Sequence, residues 1–171
     1  GAQVELALDA EAERMIVRAG RSTFQLAVLP TADFPSLADS EMPIGFKMAA
    51  RDLRTLIDRT RFAISTEETR YYLNGIYFHT ADHEGVKVLR AVATDGHRLA
   101  RAEAPLPDGA AGMPGVIVPR KTVGELRKLL EEAGDAYVEV SVSETKIRFA
   151  MNGVVLTSKL IDGAFPDYER V

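Results

Sequence analysis

The feature that most constrains the fold is an internal repeat in the order of the predicted elements. A short strand over 45–48, a helix and three strands ending near Ala104 are followed by a second short strand over 115–118, a second helix and three strands ending near Ile161. The two helices also have similar sequences, RDLRTLI and GELRKLL. Such self-similarity indicates a duplicated structural unit. We therefore predict an α+β fold of duplicated β-α-β-β-β units, with two helices on one face of antiparallel sheets.

Both helices are predicted from apolar residues that recur at i, i+3 and i+4. These residues are Leu53, Leu56 and Ile57 in the first helix and Val123, Leu126, Leu129 and Leu130 in the second. Strands are predicted for the stretches VELAL, RMIVRA, TFQLAVL, GIYFHT, VKVLRAVAT, HRLARAE, AYVEVSV, TKIRFAM and VVLTSKLI. Asp-Gly at 95–96 and Asn-Gly at 152–153 predict two-residue hairpin turns.

The start of the sequence does not fit the repeat. Residues 1–29 contain three predicted strands that match the closing strands of an earlier copy, without that copy's short strand and helix. We therefore predict that residues 1–29 close a truncated first domain. The stretch 30–43, which contains prolines and aspartates, is predicted to be an interdomain linker. Residues 44–171 are predicted to form a second domain.

Composition excludes several classes of protein. The chain has 171 residues, 46% hydrophobic and 27% charged, as is ordinary for a globular protein. It has no cysteine, which excludes disulfides and thiolate metal sites and favours a cytoplasmic location. No apolar run approaches the ~20 residues of a membrane span, and no signal peptide is recognisable. The net charge of −4 excludes a uniformly basic nucleic-acid binder.

The histidines and their acidic neighbours do not form a recognisable catalytic pattern. Zinc sites need several converging ligands at short, characteristic spacings. We place His79 at a strand end and His83 in a polar loop, 81–87, and predict that they do not share a face. The sequence has no G-x-S-x-G motif and no phosphate-binding glycine loop. We therefore predict a non-catalytic protein that needs no metal and no cofactor.

Other interpretations remain open on these observations. One is a small metal-dependent hydrolase that uses Asp82, His83, Asp95 and His97. Stoichiometric metal bound by those side chains would support it. Another is a β-rich interaction domain with no role on DNA.

Charge is segregated along the sequence. Five basic and two acidic residues between 47 and 61 give this stretch a net charge of +3, and four basic and three acidic residues between 118 and 132 give +1. Since the whole chain carries −4, the remainder carries −8. A mixed, solvated helix surface would explain the helices alone. The functional interpretation is a surface that attracts the phosphates of a polyanion without reading sequence.

Five stretches in sequence order resemble a single family: LPTADFPSL, RYYLNGIYF, AVATDGHRLA, VIVPRK and TSKLIDGAFPDYERV. Together they are similar to the sliding clamps, the β subunits of bacterial DNA polymerase III. The resemblance extends over essentially the whole chain, but it covers under half of a family subunit, without the third domain. It implies the DNA clamp fold, in which a head-to-tail homodimer forms a ring of six similar domains around duplex DNA.

The resemblance also implies partners and site residues. DNA polymerase subunits, the clamp loader and repair proteins would dock through a short linear peptide in a groove formed by Arg70, Leu73, Thr94, Gly96, His97, Arg98, Leu99, Pro166, Arg170 and Val171. The third domain of the family completes this groove. The other predicted surfaces are DNA-facing, formed by the basic residues of the helices and two tyrosines (Arg51, Arg54, Arg61, Tyr71, Tyr72, Arg120, Lys121, Arg127 and Lys128), and a subunit interface with Phe24 and Leu26.

Overall fold

The computed structural model describes residues 3–34 and 41–170. These residues fall into two compact units, one within 3–34 and one within 41–170. In both described ranges, no helix is long and apolar enough to cross a membrane.

The first unit is an antiparallel sheet, sheet A, of β1 (Val4–Asp9), β2 (Arg14–Ala19) and β3 (Ser22–Ala27), in that order. Its register places Leu6 opposite Val17 and Val17 opposite Phe24. Because side chains alternate along a strand, the apolar residues share one face. Phe24 and Leu26, the predicted subunit-interface residues, lie on this face of edge strand β3 and are more than half exposed.

The second unit has the duplicated element order that the sequence predicts. The first copy is β4 (Ile44–Ala49), α1 (Ala50–Thr60), β5 (Gly75–His83), β6 (Val86–Thr94) and β7 (Leu99–Pro105). The second copy is β8 (Val116–Pro119), α2 (Arg120–Ala133), β9 (Tyr137–Val142), β10 (Lys146–Met151) and β11 (Val154–Lys159). The predicted α+β class with antiparallel sheets and two helices is confirmed.

The two copies exchange their first strands, which the sequence pattern does not predict. Sheet B has the order β11-β10-β9-β4, and sheet C has the order β7-β6-β5-β8. Strand β4 of the first copy therefore pairs with β9 of the second, and β8 of the second pairs with β5 of the first. Each sheet thus contains strands of both copies, and neither copy can complete its sheet alone.

Both helices begin directly after a strand, without a side-chain cap. The backbone supplies the missing acceptors: the N–H of Ala50 donates to the carbonyl of Ala136 at 2.9 Å, and the N–H of Arg120 donates to the carbonyl of Asn74 at 2.8 Å. Each acceptor lies just before the strand that follows the helix of the other copy. These bonds satisfy a helix N–H that would otherwise be unpaired, and they connect the two copies.

The predicted apolar faces of the helices are buried. Leu53, Leu56 and Ile57 of α1 join one hydrophobic core with Leu126 and Leu130 of α2. Alternate residues of both four-stranded sheets complete this core, among them Phe46, Phe78, Leu89, Val140 and Phe149.

The two predicted hairpin turns differ. At Asn152-Gly153 the flanking residues Met151 and Val154 are paired, and both turn residues have positive φ, as a two-residue type I′ turn requires. At Asp95-Gly96 the prediction is wrong, because Thr94 pairs with Leu99 and the turn has four residues, 95–98. The Asp95 carboxylate stabilises this wider turn by accepting two backbone N–H groups.

The stretch predicted as a polar loop, 81–87, is the end of a hairpin. Strand β5 continues to His83 and β6 begins at Val86, so the turn is Glu84-Gly85 alone, with φ of 50° and 81°. His79 and His83 therefore both lie on β5, four residues apart. Residues at this spacing on a strand share a face, so the prediction that they do not was wrong.

Candidate functional site

A groove of about 390 Å³ opens beside the outer face of sheet C. Three segments form it: the 3-10 turn over 70–73, the turn over 95–98 with Leu99, and the chain over 166–168. Its lining residues are Arg70, Tyr72, Leu73, Thr94, Gly96, His97, Arg98, Leu99, Pro166, Asp167 and Tyr168. Segments far apart in sequence, all named by the resemblance, therefore meet at one concave surface.

Two of the predicted groove residues, Arg170 and Val171, are not among these lining residues. Arg170 does not line the groove; it is the exposed last residue of the 3-10 turn Tyr168–Arg170, where its Nε atom bonds the Asp167 carboxylate at 2.7 Å. Val171 lies outside the described residues.

The turn over 95–98 is held by its own side chains. Oδ1 of Asp95 accepts the N–H groups of His97 at 2.9 Å and Arg98 at 3.0 Å, and these bonds lower the pKa of the Asp95 carboxyl. The Thr94 hydroxyl donates to the carbonyl of Arg98 at 2.7 Å and accepts the N–H of Gly96 at 3.1 Å. This network fixes the backbone from which His97 and Arg98 project toward the groove.

Arg70 connects the turn to the opposite rim. Its guanidinium makes a two-pronged ion pair with Glu67, at 2.8 and 2.6 Å, and donates to the carbonyl of Asp95 at 3.1 Å. The hydrogen bond to Arg70 lowers the pKa of the Glu67 carboxyl. Gly96 leaves room for this approach: it has φ of +86°, and a Cβ atom there would lie 2.5 Å from Nη1 of Arg70, which would have to shift.

The floor of the groove is apolar. Leu73 and Tyr168 are buried, whereas Leu99 is 38% exposed and faces the open side. Tyr168 and Asp167 were not predicted as groove residues, because a Pro-Asp turn at a domain end is explained equally well by simple closure. Tyr72, predicted to face DNA, also lines the groove. The role of Tyr168 follows from its hydrogen bonds to His79 and Arg90, which are far away in sequence. The local sequence pattern does not indicate these contacts.

The two helices lie side by side and are joined by ion pairs. Nε of Arg127 bonds Oδ1 of Asp58 at 2.7 Å, and Nη2 of Arg54 lies 3.9 Å from Oε1 of Glu131. Arg127 also bonds Glu131 at 2.8 Å, and these bonds raise the pKa of its guanidinium. Arg127 is thus occupied in joining the helices, although it was predicted to face DNA.

The other predicted DNA-facing side chains are more accessible. Arg51, Arg61, Arg120, Lys121 and Lys128 are exposed, and Tyr71 is 53% exposed on the 3-10 turn at the groove rim. Some of these charges have local partners: Arg61 lies 3.4 Å from Asp58, and Lys128 lies 3.0 Å from Glu125.

The residues of the hydrolase interpretation are not assembled. Asp82 and His83 lie at one end of the β5–β6 hairpin, whereas Asp95 and His97 follow the other end of β6. His83 contacts Glu103 at 3.0 Å, and Asp95 is occupied by backbone N–H groups and Arg98. Among the residues that the structure describes, no group of three or more His, Asp or Glu side chains is arranged to hold a metal ion. The geometry therefore gives this interpretation no support.

A duplicated unit in which two paired helices pack against two antiparallel sheets is the architecture of a DNA clamp domain. Sequence comparison agrees. The family model of the DNA polymerase III beta subunit, central domain, matches residues 47–167. The beta sliding clamp of Caulobacter vibrioides is 56% identical over 171 residues, which is 100% of this chain and 46% of the relative. That of Escherichia coli K12 is 44% identical over 167 residues, 98% of this chain and 44% of the relative.

Solved structures agree as well. A sliding clamp from Bartonella birtlesii, bound to griselimycin, superimposes with a TM-score of 0.92 at 54% identity, over 100% of this chain and 45% of that one. The Caulobacter crescentus clamp superimposes with a TM-score of 0.93 at 56% identity, over 100% of this chain and 45% of that one. The chain belongs to the DNA polymerase III beta subunit family, the beta sliding clamps. It spans about half the length of the curated relatives that it matches.

Proposed function

We propose that the groove beside sheet C is a docking site for a short linear peptide of DNA polymerase subunits, the clamp loader and repair proteins. The observation that supports this most is the convergence of three distant segments on one cavity of about 390 Å³. This volume lies within the range of ligand sites, and its apolar floor with a charged rim suits a peptide that inserts apolar side chains. The protein acts as a non-catalytic scaffold.

Replacement of Leu99 tests the docking proposal. Leu99→Ala removes part of the apolar floor, so it should weaken a labelled peptide with the polymerase's clamp-docking motif by about 2 kcal/mol, roughly thirtyfold in Kd. Calorimetry or fluorescence anisotropy with the full-length subunit measures the effect. Leu6→Ala, which truncates an exposed leucine of sheet A, is the matched control. Equal affinity of the Leu99 variant and the wild type would refute the docking proposal.

We further propose that the paired helices face duplex DNA and contact phosphates without reading sequence, and that the subunit in its full length forms a homodimeric ring. The net positive charge of 47–61 and the exposed side chains of Arg51, Arg120 and Lys121 support the DNA-facing role. Exposure of Phe24 and Leu26 on edge strand β3 supports the subunit contact. As a replication factor, the protein would act in the cytoplasm.

The DNA proposal is tested by salt dependence. Arg51→Ala combined with Arg54→Ala should weaken binding to a random-sequence duplex in low salt and make the slope of log K against log salt shallower by about 2. Arg148→Ala combined with Lys159→Ala makes the same charge change on the outer face of sheet B and is the matched control. Equal losses in the two double variants would favour a generic charge effect. No binding by the wild type would favour an interaction domain without a role on DNA.

A further inference from the structure

The chain after β11 lies over the outer face of sheet C. We call residues 160–170 the C-terminal segment. Its residues 160–167 belong to no helix or strand, so other contacts hold the segment in place. The N–H of Ile161 donates to the carbonyl of Ile117 at 3.0 Å. The Phe165 ring stacks on Tyr77 with centroids 4.8 Å apart, and Tyr77 stacks on His79 at 4.7 Å.

Arg90 is the charged centre of this contact. Its side chain projects from β6 toward the C-terminal segment and is only 4% exposed. Nε bonds Glu103 of β7 at 2.7 Å, and Nη1 bonds the Tyr168 hydroxyl at 2.9 Å and the Glu169 carboxylate at 2.7 Å. A buried arginine is tolerated only when its charge and its N–H groups find partners, and here two of its side-chain partners, Tyr168 and Glu169, come from the C-terminal segment.

The hydrogen bonds have a definite direction. Since the Tyr168 oxygen accepts from Arg90, its proton is free to point to Nε2 of His79, 2.8 Å away. Nδ1 of His79 lies 2.9 Å from the carbonyl of Thr80, which can only accept, so the ring proton resides on Nδ1. Donors and acceptors therefore match along Arg90, Tyr168, His79 and the β5 backbone when His79 is neutral.

We propose that Arg90, acting through the Tyr168 hydroxyl, is a positioning residue that sets the affinity of the groove for its peptide. Tyr168 lines the groove, and its hydroxyl is hydrogen-bonded to both Arg90 and His79. Pro166 and Asp167, the adjoining wall, directly precede this anchored residue. The wall therefore stays in place because Arg90 and His79 hold Tyr168. This inference rests on the proposed docking function.

The test compares Tyr168→Phe with Tyr77→Phe in the full-length subunit. The first substitution removes only the Tyr168 hydroxyl that bonds Arg90 and His79. The second removes the Tyr77 hydroxyl from the neighbouring aromatic stack. Tyr168→Phe should weaken the labelled docking peptide about fivefold, the value of one hydrogen bond, while Tyr77→Phe leaves affinity unchanged. Amide hydrogen exchange should become faster at 167–170 in the Tyr168 variant alone, and the His79 Nε2 resonance should shift in nitrogen NMR.

The outcomes separate the two proposals. Wild-type peptide affinity in Tyr168→Phe, or equal losses in both variants, overturns the positioning role, even if the Tyr168 variant melts at a lower temperature. If the wild type binds no peptide, the docking proposal is refuted. Hydrogen exchange and NMR then show whether the Tyr168 hydroxyl anchors residues 167–170. Unchanged exchange at 167–170 refutes the anchoring, whereas faster exchange with a shifted His79 resonance supports it.

Discussion

Sheets B and C are built from the same repeated strands but differ in their outer faces. In sheet C, the outward residues Val92 and Ile117 are 0% and 2% exposed, and the N–H of Ile161 in the C-terminal segment bonds the carbonyl of Ile117. In sheet B, the outward residues Tyr137 and Val155 are 68% and 53% exposed, and Lys47 and Glu139 form a surface ion pair at 2.6 Å. The repeat alone therefore does not produce a groove. The groove combines two segments of the first copy with the segment that follows the last strand.

Strands β6 and β10, which occupy matching inner positions in sheets C and B, show this difference at a single residue type. Arg90 on β6 and Arg148 on β10 both project outward between two core residues. Arg90 is opposite Glu103, whereas Arg148 is opposite Thr157. Burial disfavours the charged form of Arg90, but its hydrogen bonds to Tyr168 and Glu103 outweigh burial and raise its pKa. One residue type is thus a buried anchor in sheet C and a solvated side chain in sheet B.

The largest expected effect comes from exchanging these arginines for alanine one at a time. Arg90→Ala removes a buried guanidinium that bonds Glu103, Tyr168 and Glu169 at once, so we expect a loss of about 3 kcal/mol in the free energy of unfolding. Arg148→Ala should cost less than about 0.5 kcal/mol, as for an ordinary surface substitution. Urea unfolding of both variants measures the difference. Similar small losses would mean that the C-terminal segment is not anchored through Arg90.

The turns at the ends of the two middle strands give the second prediction. Gly96 and Gly153 both have positive φ, so alanine should cost about 1 kcal/mol of stability at either position. A Cβ atom at Gly96 would also meet Arg70 at 2.5 Å, whereas nothing lies within 4 Å of one at Gly153. We therefore expect Gly96→Ala alone to weaken the docking peptide, by moving Arg70 at the rim. Unfolding curves and peptide anisotropy test the two halves of this prediction. Equal peptide affinity in both variants would contradict it.

The comparison also separates what local sequence determines from what it leaves open. Apolar periodicity predicts α1, α2 and the strands, because each helix face and strand face is recorded in neighbouring residues. The exchange of β4 and β8 between sheets is not recorded there, since it depends on pairing between copies. The turn at 95–98 was misjudged because the Asp95 side chain, and not the Asp-Gly pair alone, determines its length.

The site shows the same division. The resemblance predicts Leu99, His97 and Arg98 at the groove, and the structure brings them to one cavity with Leu73. Tyr168 and Arg90 were missed, because an arginine inside VKVLRAVAT and a tyrosine near the domain end are each unremarkable until folding brings them together at 2.9 Å. Residues whose role depends on long-range polar contacts cannot be found from periodicity.

The smallest expected effect is a pH dependence from a histidine of sheet C, which has no counterpart because the strands of sheet B contain no histidine. Burial and the nearby Arg90 charge lower the pKa of His79 in the folded protein. The groups that face its ring are Tyr77 on β5, Arg90 on β6, and Tyr168 and Glu169 on the C-terminal segment. Since the folded pKa is below the unfolded value, His79 contributes stability above its ordinary pKa, and this contribution is lost as the pH falls through the unfolded and then the folded value.

His79→Gln isolates this contribution. Glutamine does not titrate, so the difference in unfolding free energy between wild type and variant should shrink when the pH falls from about 7.5 to about 5. The change should be smaller than the cost of either glycine substitution, because His79 is only partly buried. The carboxyls of Glu67 and Asp95, whose pKa values are lowered in the folded protein, titrate in both wild type and variant, so their effects cancel in the difference. A difference that stays constant over this range would show that neutral His79 is not required to hold Tyr168.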